Sequence, residues 1–320
     1  MDQTFFLAAN TAHGFVSLCD AFPGDACFLH ILKGGPGTGK SGFMKRIRSA
    51  AQARSLDTVS ILCSGDPDSL DGLCVPALGQ AWFDGTAPHA REPKLFGADA
   101  DYVNLGAFCR LPLSEKDRAR AQALNRAYHE KYAAAYQLLS AAAAAEEAEE
   151  LHDAAVRQEE TARVQTLLDA FPDREPGPGR REKRFVSAIS CKGLLFLNES
   201  VTGLCGRIVS LRGGSAVLRQ AVKSAERKTA QLILCPRPLR PEQLEALLLP
   251  ELGLAFLRAP APLLVPQGER AMSSQALTLA MEALADAKTL HDKLEAVYWP
   301  YMDFPALSAY TEERITELFG

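Results

Sequence analysis

The run Lys33-Gly34-Gly35-Pro36-Gly37-Thr38-Gly39-Lys40-Ser41-Gly42 constrains this chain more than any other segment, because it is too glycine-rich for helix or strand yet is flanked by the patterns of both. Before it, Phe28-Leu29-His30-Ile31-Leu32 is short and apolar, as a buried strand is. After it, Phe43, Met44 and Ile47 recur at the spacing of a helix face packed on a sheet. Gly-x-x-x-x-Gly-Lys-Ser in that strand–loop–helix context is a phosphate-binding loop, or P-loop. Its glycines let backbone N–H groups turn inward and approach an anion, and the helix N-terminus adds partial positive charge. Lys40 reaches the β- and γ-phosphates of such a ligand, and the Ser41 hydroxyl is a Mg²⁺ ligand. The pattern predicts a nucleoside triphosphate with Mg²⁺, held by Gly34, Gly35, Pro36, Gly37, Thr38, Gly39, Lys40, Ser41 and Gly42. The chain contains no Asn-Lys-x-Asp and no Leu-Ser-Gly-Gly-Gln, so ATP is expected rather than GTP, and an ABC-type ATPase is disfavoured.

Such a loop needs a carboxylate at the end of a neighbouring strand to order the metal's shell. Asp84, ending Gly79-Gln80-Ala81-Trp82-Phe83-Asp84, is the first choice, giving Ser41 and Asp84 as metal residues and Lys40, Asp84 and Asp66 as catalytic ones. Asp66, Asp68 and Asp71 follow the strand-like Thr58 to Cys63; one of them orients water or substrate, or the cluster is a turn leading into a capped helix. His89 is either a sensor of the γ-phosphate or a satisfied surface histidine.

At 320 residues, 47% apolar and 23% charged, the chain has the make-up of a globular protein of two domains. A formal net charge of -4 provides no global basic field for nucleic acid. The N-terminus lacks a basic leader and no run reaches the roughly 18 apolar residues of a membrane span, so a cytoplasmic protein is expected. The eight cysteines show no metal-ligand spacing and read as buried thiols.

The chain also repeats itself. Gly14-Phe15-Val16-Ser17-Leu18 aligns with Gly193-Leu194-Leu195-Phe196-Leu197, Leu32-Lys33-Gly34-Gly35 with Leu211-Arg212-Gly213-Gly214, and Val75 to Asp84 with Leu249 to Arg258. The second copy lacks Pro36 to Lys40 and carries Arg258 in place of Asp84, so it is not expected to bind Mg-triphosphate. Arg212 or Arg258 could instead serve the intact site as an arginine finger in cis. Residues 113–171 contain no Gly or Pro and read as a long helical hairpin turning near Ser140 or around Asp153, its acidic surface either a solvated helix face or an arm for a protein partner. The expected plan is a P-loop domain (1–112), the helical hairpin insertion (113–171), a Pro/Gly-rich linker (172–183) and a degenerate second repeat with C-terminal helices (184–320). The fold class is α/β: a P-loop NTPase-like parallel sheet with flanking helices, duplicated. Leu151-His152-Asp153 and Leu290-His291-Asp292 are read as repeat remnants.

Ala9 to Gly14, Leu32 to Ser41, Asp66 to Asp71, Asp84 to His89 and Met302-Asp303-Phe304 together resemble an uncharacterised bacterial family of putative ATPases built from two tandem P-loop halves. The resemblance implies ATP binding and the duplicated fold, and names no substrate. Members typically carry a complete loop in both halves, from which this chain departs. The resulting expectation is a Mg-dependent ATPase with one active site; a small-molecule kinase and a non-hydrolysing nucleotide sensor are the alternatives.

Overall fold

The computed structural model describes residues 2–24, 27–149, 154–175, 177–259 and 275–320. The first repeat runs β1 (Gln3–Phe6), a hairpin of β2 (Ala8–Thr11) and β3 (Gly14–Ser17), β4 (Phe28–Lys33), α1 (Lys40–Gln52), β5 (Val59–Leu62), β6 (Leu70–Val75), β7 (Gln80–Asp84) and β8 (Ala100–Asn104). Two helices follow, α2 (Glu115–Glu149) and α3 (Ala154–Asp169). The second repeat runs β9 (Arg180–Lys183), a hairpin of β10 (Ser187–Ser190) and β11 (Gly193–Phe196), α4 (Asn198–Leu204), β12 (Arg207–Leu211), α5 (Gly214–Ala225), β13 (Gln231–Pro236), β14 (Leu244–Leu249) and β15 (Leu254–Arg258). Helices α6 (Gln275–Tyr298) and α7 (Phe304–Phe319) close the described chain. The second sheet begins inside the segment expected to be linker. Asp153 and the Leu151-His152-Asp153 motif lie outside the described residues, and α2 passes Ser140 without a break.

The architecture is α/β, but the sheets are mixed rather than parallel. The first is ordered β1-β5-β6-β7-β4-β8, and β6 runs antiparallel to both its neighbours. The second is ordered β12-β15-β14-β13-β9, with β14 reversed in the same way. A parallel connection needs a crossover of about a dozen residues or more. The loop from Leu62 to Leu70 and the turn at Pro76–Leu78 are shorter than that, so β6 must reverse, and the Asp66 loop leads into this strand rather than into a helix.

The two sheets pack face to face. Phe5, Ile31, Ile61 and Phe83 of the first share one core with Ile233, Leu248, Ala255 and Leu257 of the second. Helices α1 and α5 flank the outer faces, while the short α4 enters the shared core through Val201. The expected hairpin is also absent: α2 packs along α6, and α3 packs onto α5. Val164 and Leu168 of α3 join Val217, Leu218 and Ala221 of α5, while Leu307 of α7 joins Phe43, Met44 and Ile47 of α1. Each repeat thus sends its terminal helix to the outer face of the other.

The repeats meet at an antiparallel bridge between equivalent residues. Phe6 N–H donates to Phe185 O at 3.0 Å and Phe185 N–H donates to Phe6 O at 2.9 Å. Equivalent bonds recur on either side: Thr11 Oγ1 donates to Gly14 O at 2.8 Å, as Ser190 Oγ does to Gly193 O at 3.1 Å. Phe28 N–H donates to Gly79 O at 2.8 Å, as Arg207 N–H does to Gly253 O at 2.9 Å. Phe185 is fully buried at this junction. Phe185→Ala is expected to cost about 3–5 kcal/mol, the range for a buried aromatic cut back to alanine. Urea unfolding followed by fluorescence should show one transition at a lower midpoint, whereas repeats that unfold separately would give two.

Candidate functional site

The loop between β4 and α1 takes its shape from two glycines with φ in the left-handed region, Gly37 at 70° and Gly39 at 83°, where a side chain would be strained. Thr38 Oγ1 donates to Gly35 O at 2.8 Å and ties the loop across its base. A side chain on Gly34 would strike the same Thr38 oxygen, at 2.4 Å from an ideal Cβ. Lys40 Nζ folds back onto the loop and donates to Gly34 O and Gly35 O, each at 3.0 Å. Pro36 is half-buried in the loop, and Gly42 lies in the first turn of α1 with open space where a Cβ would be.

Asp84 ends β7 and sits opposite Leu32 in the parallel register of β4 and β7, which brings its Oδ2 to 3.7 Å from Lys40 Nζ. Its other oxygen accepts from Thr86 N–H at 3.0 Å and Thr86 Oγ1–H at 2.6 Å. Burial pushes the Asp84 carboxyl above the ordinary carboxylate range, partly offset by Lys40 and by the Thr86 hydrogen bonds. Ser41 Oγ accepts from Leu70 N–H at 2.9 Å, fastening the start of α1 to β6. Ser215 Oγ accepts from Leu244 N–H at 2.8 Å in the second repeat, so this bond belongs to the framework the two copies share.

Lys40 thus stands beside Asp84 and Ser41 Oγ is engaged by Leu70 N–H, while the other acidic candidates have separate engagements. Asp66 accepts from Ser69 Oγ–H at 2.9 Å and lies 3.5 Å from Lys288 of α6. Asp68 pairs with Lys192 across the repeat junction at 2.5 Å. Asp71 is buried against His89, with 3.2 Å between Oδ2 and Nε2. His89 is itself buried, packed against Phe15 and Phe83, so the surface reading is corrected.

In the second repeat Gly213, with φ 78°, caps α5 as Gly39 caps α1. The left-handed cap stays with the helix start, so Gly214 falls where Lys40 stands and the five missing residues correspond to Gly34 to Thr38. Arg212 bonds Glu160 and Glu159 of α3 at 2.9 and 3.1 Å, and Arg258 donates to Gln243 Oε1 at 3.0 Å. These contacts lie within the second repeat's counterpart of the site and not on the intact loop, which removes the basis for an arginine finger.

Residues absent from the sequence expectation cover the loop. Gly37 N–H donates to Glu295 Oε1, from α6, at 3.2 Å. A Cβ on Gly37 would lie 3.1 Å from the Glu295 carbonyl oxygen and 3.2 Å from Trp299 Nε1, and one on Gly39 would lie 2.8 Å from Leu307 Cδ2. No local pattern announces this contact, since Glu295 is 258 positions from Gly37. His291, Asp292 and Glu295 offer metal-type ligand atoms within 4.8 Å of one another, but Lys288 holds Asp292 and Gly37 holds Glu295.

Among the described residues no helix is long and apolar enough to cross a membrane. Burial alone would lower the His89 pKa, but Asp71 and Cys19 outweigh it and raise the pKa from 6.5 to about 10. A raised folded-state pKa stabilises fully below the unfolded value and is lost as pH climbs through the folded one. Wild-type thermal stability should therefore fall between about pH 6.5 and about 10, and His89→Gln should flatten that fall; parallel profiles would refute the pairing. Comparison of the chain with protein-family models, curated proteins and solved structures gave no match, so the functional argument is carried by the geometry of this site.

Proposed function

We propose that this chain is an ATP-binding P-loop protein, a Mg-dependent ATPase with one active site in the first repeat and a pseudo-site in the second. The observation that carries the reading is the Lys40–Asp84 pair: an ammonium at the start of α1 and a carboxylate at the end of β7, 3.7 Å apart, beside a loop with two left-handed glycines. A lone glycine turn has no use for either charge. The tandem-P-loop likeness points the same way, as does the retained framework of a second copy stripped of lysine, loop and carboxylate together.

The chemistry asked of the residues is positioning and charge neutralisation. Lys40 exchanges the Gly34 and Gly35 carbonyls for phosphate oxygens, and the loop N–H groups receive the remaining acceptors. Ser41 and Asp84 offer the hard oxygen donors that suit Mg²⁺, which when bound there would neutralise charge on the β- and γ-phosphates. Asp84 also offers an acceptor oxygen to an attacking water or to a metal-bound one. Acceptor-dependent ADP release would mark the kinase alternative.

Calorimetric titration tests the reading. One Mg-ATP should bind per chain, Mg-GTP more weakly, and Lys40→Ala should weaken Mg-ATP binding by a hundredfold or so, the scale of about 3 kcal/mol for a charged hydrogen-bond donor lost to its ligand. Two sites per chain would contradict the pseudo-site, and absence of binding would overturn the proposal.

A further inference from the structure

We propose that the corner between α6 and α7 is a plug for the phosphate loop: the Glu295 carboxylate takes the place of a phosphate oxygen on Gly37 N–H, and a triphosphate is admitted only when that corner withdraws. The inference rests on the nucleotide reading above and specifies how the same site is regulated.

The chemistry of the contact is that of the expected ligand. A backbone N–H in a glycine-rich loop recognises an anionic oxygen, and Glu295 Oε1 supplies one at 3.2 Å. Two anions cannot share this donor, so carboxylate and phosphate compete. The obstruction is also steric. The Glu295 main-chain oxygen and Trp299 Nε1 crowd Gly37 so closely that even a methyl group there would sit 3.1 to 3.2 Å from them, tighter than ordinary van der Waals contact. Rotating the Glu295 side chain alone leaves that crowding in place; the corner itself has to move. Lys40 completes the picture of a loop satisfied from within, its ammonium bonded to the loop's own carbonyls.

The corner is held from both sides, and Tyr301 within it donates from its hydroxyl to Asp117 Oδ2 at 2.7 Å and accepts at its carbonyl from Arg110 N–H at 2.8 Å. Behind the corner, Leu294 and Val297 are buried with Ala121 of α2. Beyond it, α7 is held on α1 by Leu307, by stacking of Tyr310 on Phe43, and by Arg46 with Ser308 and Glu312. Between them Trp299 is half exposed, on the short turn Trp299–Tyr301. Glu295 lies between Leu294 and Val297, so withdrawing the plug lifts the last turn of α6 off Ala121 of α2. The second repeat provides a comparison: Arg157 of α3 lies against Gly213 as Leu307 lies against Gly39, so the same kind of arm covers a shortened loop that has no phosphate cup. A helix of the other repeat thus covers each helix start.

Population arithmetic sets the expected effect, since apparent affinity falls by the fraction of molecules with the loop open. Glu295→Gln keeps the shape and removes the charge. It should bind Mg-ATP about tenfold more tightly by calorimetry, the scale of one hydrogen bond to an ionised acceptor. The chain has two tryptophans, so in a Trp82→Phe background Trp299 alone reports on the corner. Its emission should change saturably with Mg-ATP, at the midpoint found by calorimetry. Unchanged affinity in Glu295→Gln together with silent Trp299 emission, in a chain that does bind Mg-ATP, would overturn the plug and leave the nucleotide reading standing. Absence of binding to wild type and to Glu295→Gln alike would overturn both. The calorimetric comparison needs no change at Trp82, so it stands even if Trp82→Phe disturbs the core.

Discussion

Everything else in this molecule follows from two sheets burying one face each against the other. The inner core of Phe5, Ile31, Phe83, Ile233, Leu248 and Leu257 belongs to neither repeat alone, so neither can fold as an independent two-faced α/β domain. Apart from the short α4, whose Val201 joins that core, the helices beside the sheets lie on the outer faces. A repeat has one helix of its own there, α1 or α5, and the space beside it is filled by the terminal helix of the other repeat. The crosswise exchange places α7 and the end of α6 over the phosphate loop, though the loop and those helices lie at opposite ends of the chain. The covering of the site is thus a consequence of how the duplicated halves share a core.

The two copies share backbone geometry and differ in the charges placed on it. Ser41 and Ser215 bond the start of the next but one strand at 2.9 and 2.8 Å, Gly39 and Gly213 cap their helices in the same left-handed conformation, and the Phe6–Phe185 bridge joins equivalent residues. Around this common frame the first copy places Lys40 beside Asp84. The second places Gly214 and Arg258, and gives Arg212 to the glutamates of α3. Within a frame that both copies share, the Lys40–Asp84 ion pair belongs to the first alone.

The features legible in the sequence were those written locally. The strand, glycine loop and helix around Gly34 to Ser41 could be read because left-handed glycines and a short apolar strand are decided within a few residues, and the strand ending at Asp84 because its apolar run is local too. The reversed strand β6 was readable too: the Leu62 to Leu70 connection is too short for a crossover, a limit the parallel expectation passed over. The helices were harder. Nothing in the Ala- and Glu-rich run after Leu113 tells α2 to seek α6, because its partner is chosen by the shared core and not by its own periodicity. His89 looked like a surface residue in a polar stretch until Asp71 and two aromatic rings were seen to enclose it. Glu295 carried no signal at all, being an ordinary acidic residue on an amphipathic helix until tertiary structure sets it on Gly37.

The central claim, one phosphate site in the first repeat that the C-terminal arm must uncover, is tested most directly by a crystal structure of the full chain grown with Mg²⁺ and a non-hydrolysable ATP analogue. The account predicts a single analogue per chain with its phosphates on Gly34 to Ser41, the Glu295 carboxylate displaced from Gly37 N–H, and the second repeat empty at Gly213 to Ser215. An analogue bound at the second repeat, or one seated on the first with Glu295 still on Gly37, would contradict it.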